Sequence, residues 1–177
     1  MPPPTRLLFL PSPHEILSFC SVKPSWTPIS AEGFHPLTLA ELSAYFVDDF
    51  EARHQDGRRR LVGRLRAYLA ELRTLGLPLE IWLDGSFTTR CPEPDDIDLV
   101  VLLSYRDVAA LSTTDQTRLS FLLNERERVR IRYVCDVYHL DTHDEPERQR
   151  WTRQFATNHN GTPKGIFTLT ISPPTTA

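Results

Sequence analysis

The sequence predicts an α+β domain, a mixed β-sheet flanked by helices, on three observations. Apolar residues recur at helical spacing over residues 57 to 75, with Leu61, Leu65, Tyr68, Leu69 and Leu72 on one stripe. Short runs rich in β-branched, aliphatic and aromatic residues fall at residues 79 to 83, 96 to 103, 131 to 140 and 165 to 172. Helical and strand patterns are interleaved along the chain, and no internal repeat is present.

Taken in order, the chain begins with a proline-rich N-terminal arm, residues 1 to 32. Pro2, Pro3, Pro4, Pro11, Pro13, Pro24 and Pro28 remove backbone donors and fix φ there, which favours an extended segment packed on the domain or trailing from it. Thr38 and Glu41 make a capping-box pattern with Leu37 and Leu42 as its hydrophobic staple, so a helix is expected to begin there. The helix over 57 to 75 stops at Leu75-Gly76, a C-terminal glycine signal. A strand over 79 to 83 then delivers the chain to Gly85-Ser86, and a second strand, 96 to 103, follows the loop. A helix near 114 to 128 leads to a strand over 131 to 140, and a helix near 144 to 156 sets Trp151 and Phe155 on one side. The strand over 165 to 172 closes the domain, expected over residues 33 to 172, and residues 173 to 177 make a flexible Pro-Thr tail.

With 177 residues, 40% apolar and 24% charged, the chain is long enough to bury a sizeable core in one domain. No run approaches the roughly 18 apolar residues of a membrane span, and the N-terminus makes a poor secretory signal. A cytoplasmic protein without a membrane partner is therefore expected. Cys20, Cys91 and Cys135 lack Cys-x-x-Cys spacing, and the six histidines lack His-x-x-x-His spacing, so free thiols and ordinary hydrogen-bonding histidines are expected rather than a zinc site. A net charge of −3 argues against non-specific grip on long nucleic acid, which depends on Lys and Arg neutralising phosphates. The arginines at 58 to 60, 64, 66 and 73, and at 126, 128, 130 and 132, read as solvated faces.

The chemistry concentrates in one stretch. Asp96 and Asp98 alternate in the apolar run Ile97-Leu99-Val100-Val101, so both project to one side of the strand while Ile97 and Leu99 fill the other. Carboxylates beside a core must be paired, hydrogen-bonded or metal-bound to offset desolvation, and hard divalent cations take oxygen ligands. Asp136 sits within a later strand; if that strand lies beside the first, three acids converge, the set that holds two ions for in-line attack on a phosphate. Gly85-Ser86 supplies a tight turn whose backbone and hydroxyl can hold a triphosphate. Asp84 and Asp95 read as turn organisers. Lys164 reads either as a point charge for phosphate or as a solvated loop residue. Tyr138 shares the face of Asp136 and reads as packing or as a base-stacking ring.

An apolar-Gly-Ser turn, a gap of about ten residues, Asp-apolar-Asp-apolar and a third Asp on a later strand resemble the nucleotidyltransferase superfamily of DNA polymerase beta. Residues 82 to 89, 94 to 100 and 163 to 166, with the lead-in at 33 to 42, are similar to a family of short bacterial nucleotidyltransferase-like proteins. The likeness covers residues 33 to 172. It implies a nucleotidyltransferase-like mixed sheet and metal-dependent transfer of a nucleotidyl group from a nucleoside triphosphate. In that scheme Asp96, Asp98 and Asp136 hold Mg²⁺ or Mn²⁺ and carry catalysis, while Gly85, Ser86 and Lys164 bind the triphosphate. The acceptor would be an RNA end, a protein hydroxyl or a small molecule. A second class is a non-catalytic nucleotide-sensing or partner-binding module, with a cognate protein partner in a toxin–antitoxin or phage-defence system.

Overall fold

A computed structural model describes residues 25–158 and 160–173 of the chain. Residues 1 to 24 of the expected arm, with Cys20, and residues 174 to 177 of the expected tail lie outside the described residues. The fold is α+β: a five-stranded mixed sheet with helices on both faces.

The strands are β1 (Gly33–Leu37), β2 (Leu79–Asp84), β3 (Ile97–Leu103), β4 (Cys135–Asp141) and β5 (Gly165–Ile171), in the order β1-β5-β2-β3-β4. β2 runs antiparallel to β3 and β5, whereas β1 is parallel to β5 and β4 parallel to β3. A parallel pair needs a long crossover, and the helices α2 (Tyr105–Ala109), α3 (Thr113–Asn124) and α4 (Arg126–Tyr133) supply the one between β3 and β4. The remaining helices are α1 (Ala52–Arg73) and α5 (Glu145–Phe155).

The sheet separates two apolar layers. Leu83, Leu99, Val101, Val137 and Phe167 join the α1 residues Leu61, Leu65, Tyr68, Leu69 and Leu72, and the α3 and α4 residues Leu119, Leu122 and Val129, in one core. Trp82, Val100, Leu102, Leu140 and Ile166 pack on the opposite side with Phe155, against which Trp151 rests. β3 is covered on both faces, which is why it reads as a nearly continuous apolar run.

Three local expectations change, and one strand is added. Gly33–Leu37 forms a strand despite Pro36, because β1 is the sheet edge and pairs with β5 alone, so a missing donor is tolerated. After it, the Thr38 backbone N–H and hydroxyl both donate to the Glu41 carboxylate at 2.8 Å, but the chain makes only a short turn and one π-helical turn, Ala44–Asp48, before α1. The helix expected near 114 to 128 is two, parted at Glu125. Ile131 to Tyr133, expected to begin a strand, instead end α4, and Val134 reverses the chain in the left-handed region at φ 56°.

Arg58 does not lie on a solvated face. It is fully buried and donates to the carbonyls of Phe46, Phe87, Thr89 and Cys91 at 2.6–3.2 Å, with its guanidinium 3.5 Å from the Phe50 ring centroid. Burial without a carboxylate lowers its pKa to about 10. The result fixes the segment after Ser86 to α1.

The stretch before β1 is joined to the domain. The Ile29 N–H donates to Thr88 O at 3.1 Å, the Arg90 N–H to Thr27 O at 2.7 Å and the Gly165 N–H to Ser30 O at 3.3 Å. The packed domain therefore extends N-terminal to the expected boundary at residue 33. None of the described helices is long and apolar enough to cross a membrane.

Candidate functional site

Sheet register creates the site. Asp84 ends β2 and is the antiparallel partner of Asp98 in β3; Asp98 is in turn the parallel partner of Asp136 in β4. Directly paired residues of neighbouring strands share a face, so three carboxylates form a row across the sheet. Asp96 stands two residues before Asp98 and extends the group along the chain. The adjacency of the Asp98 and Asp136 strands, a condition in the sequence argument, is met.

Cations meet three of these four acids. Arg126 grips Asp136 through Nε and Nη2, at 2.7–2.9 Å, and also donates to the Tyr138 hydroxyl. Arg130, one turn further along α4, pairs with Asp96 at 2.8 Å. Lys164 pairs with Asp84, and both side chains are buried. Asp98 makes no ion pair or side-chain hydrogen bond with any described residue. Burial, reinforced by the charges of Asp96, Asp84 and Asp136 and partly offset by Lys164, raises its pKa to about 7. Burial likewise raises Asp84 to about 6, against the opposing pull of Lys164. Burial and the same acids push the Cys135 thiol to about 12, so this cysteine is an inert free thiol in the core.

Gly85 follows Asp84 at φ 79°, a region closed to most side chains, and a Cβ there would strike the Asp98 carboxylate. The turn and the acid row are thus in direct contact. Ser86 opens a single 3₁₀ turn, Ser86–Thr88, and its hydroxyl makes no hydrogen bond with a described residue.

These groups line one cleft of about 680 Å³, which Asp84, Gly85, Ser86, Asp96, Asp98, Tyr138 and Lys164 share with Ser25 and Trp26 from the expected arm and with Phe155 and Asn158 from α5 and the loop after it. Ser25 accepts a hydrogen bond from Asn158 Nδ2 at 3.1 Å across the rim. The Tyr138 ring packs on Trp151, with centroids 4.7 Å apart, and donates its hydroxyl to Asp136.

Of the expected site residues, Asp96, Asp98, Gly85, Ser86 and Lys164 meet at the cleft, and Asp136 lies beside Asp98 in the row. Lys164 is not a solvated loop residue, because Asp84 holds it in the interior. Asp84, read as a turn organiser, belongs to the row; its alternation with Trp82 at the end of a strand was the available signal. Arg126 and Arg130, read as solvated, are the partners of two of the expected ligands. Their i, i+4 spacing carried no sign of this, since the facing acids come from other strands.

The donor set is chemically suited to a hard divalent cation, all of it carboxylate oxygen and centred on Asp98, which has no ion-pair partner among the described residues. Its arrangement is less complete: among the described residues no group of three or more His, Cys, Asp or Glu is placed to hold a metal ion. Arg126 and Arg130 occupy two of these carboxylates, Asp136 and Asp96.

The fold and the site define an α+β domain with an acid row beside a cleft. The chain belongs to a family described as a family of unknown function (DUF6932), whose profile matches residues 24–170. The match includes the segment before β1 that carries Ser25 and Trp26. No curated protein and no solved structure is similar enough to match it.

Proposed function

We propose that this domain is a metal-dependent nucleotidyltransferase with a DNA polymerase beta-like fold, moving a nucleotidyl group from a nucleoside triphosphate to an RNA end, a protein hydroxyl or a small molecule. The observation that carries this reading is the register of Asp84, Asp98 and Asp136 across three adjacent strands, with Gly85 in contact with Asp98. Asp96 and Asp98, with Asp136, would hold Mg²⁺ or Mn²⁺. Such an ion neutralises phosphate charge and acidifies the attacking hydroxyl. The tight Gly85-Ser86 turn would hold the triphosphate, with Ser86 offering it a free hydroxyl, while the space beside Gly85 is taken by the Asp98 carboxylate. Lys164, held on Asp84, presents a fixed positive charge to the triphosphate. Asp136 accepts the proton of the acceptor hydroxyl.

The work of these residues is positioning and charge compensation. Incubation with each nucleoside triphosphate and Mg²⁺ or Mn²⁺ should release pyrophosphate, and Asp96→Asn with Asp98→Asn should abolish the release.

One observation favours a second reading, the non-catalytic sensing or partner-binding module of a toxin–antitoxin or phage-defence pair. Arg126 and Arg130 already neutralise two acids without a metal. Nucleotide binding in a calorimeter with no pyrophosphate released under any metal would favour this module.

A further inference from the structure

We propose that Arg126 and Arg130 form a guanidinium gate on the acid row: they hold Asp136 and Asp96 in the resting protein, and a divalent cation must displace them to gain its ligands. The proposal rests on the metal-site reading above and adds to it a competition built into α4.

The geometry is specific. The two arginines lie four residues apart on one helix, so they project from the same side. Each reaches a different strand terminus, Arg130 the residue before β3 and Arg126 the second residue of β4, on either side of Asp98. The grip on Asp136 is three hydrogen bonds from two nitrogens, a planar fork that a lysine would not reproduce. The arginine side chains are 48% and 60% exposed, whereas Asp136 and Asp96 are 17% and 19% exposed. Thus both guanidiniums have water to swing into, Arg126 giving up its hydrogen bond to the Tyr138 hydroxyl as it does so, while Asp136 stays fixed by the sheet.

A carboxylate oxygen engaged by a guanidinium is not a free metal ligand, so metal affinity falls by the cost of releasing the arginines. The same coupling runs in reverse. A cation taking over the row frees two guanidiniums at the rim, where an anionic phosphate group can pair with them. Metal and polyanion binding should therefore assist one another, each paying part of the displacement.

The test is Mn²⁺ binding, read from the paramagnetic signal of the free ion, on the full chain and on Arg126→Gln, Arg130→Gln and the double variant. Arg128→Gln, on the same helix but paired with Glu125 at 3.7 Å, is the control. The double variant should bind Mn²⁺ about tenfold more tightly than the wild type, with the single variants between them and the control unchanged. Once the Mn²⁺ that triphosphate chelates by itself is subtracted, inorganic triphosphate should tighten Mn²⁺ binding to the wild type and do so less in the double variant. Melting curves establish that each variant is folded, as the exposure of the arginines leads one to expect. Equal or weaker Mn²⁺ affinity in the double variant, or no Mn²⁺ bound by any protein, overturns the gate. Tighter binding in the double variant without pyrophosphate release would instead keep the gate and remove nucleotidyl transfer. Pyrophosphate release with unaltered Mn²⁺ affinity would do the reverse.

Discussion

The Lys164 ammonium closes on the Asp84 carboxylate between β5 and β2, with 5% and 11% of the two side chains exposed. Desolvation of both charges makes the pair costly to form and costlier to break, because loss of one partner leaves the other buried and alone. Lys164→Ala should cost about 3 kcal/mol of unfolding free energy by denaturant titration. Asp84→Asn in that background should recover more than half of the loss. A melting temperature within one degree of wild type for Lys164→Ala, on the order of less than 0.5 kcal/mol for a domain this size, would return Lys164 to a solvated role.

Gly85→Ala should destabilise for two separable reasons. The backbone at φ 79° strains any side chain, about 1–2 kcal/mol, and the new methyl strikes Asp98. Asp98→Ala removes the second obstacle but leaves the first. A double-mutant cycle should therefore show Gly85→Ala costing less in the Asp98→Ala background, and additive losses would mean that the carboxylate moves aside freely.

Stability without divalent metal should fall as pH rises through the titration of Asp98. Its pKa in the folded chain is raised to about 7 from 3.8, so the folded state holds a proton that the unfolded state has lost. The penalty is absent below about pH 4, grows between pH 4 and 7, and is fully present above 7. Asp98→Asn should thus melt about 3 °C or more above wild type at pH 8 and lose that advantage at pH 4. A pH-independent difference would show that Asp98 ionises normally.

A chain beginning at Gly33 should be less stable than one beginning at Pro24. It loses the hydrogen bonds that the Arg90 and Gly165 N–H groups donate to Thr27 and Ser30 and that the Ile29 N–H donates to Thr88, and it uncovers the rim that Ser25 and Trp26 supply. Three backbone bonds at about 1 kcal/mol each set the scale. Identical denaturation curves for the two chains would mean that this segment rests on the domain without supporting it.

The α+β class, the end of α1 a few residues before Gly76, the strands around the Gly-Ser turn and the paired acids were legible along the chain, because periodicity and turn chemistry are local properties. Even there, Pro36 hid an edge strand, and the β-branched and aromatic residues of Ile131 to Val134 concealed a helix end. The place of Asp84 in the acid row emerged with folding, since it follows from β2–β3 register. Pairings across long separations decided the rest. Arg58 and Arg126 look alike in the sequence, but one is sealed among carbonyls and the other forked onto Asp136. The energy of a charge depends on what the fold brings within a few ångströms of it and how much water it removes, and neither is a property of neighbours along the chain.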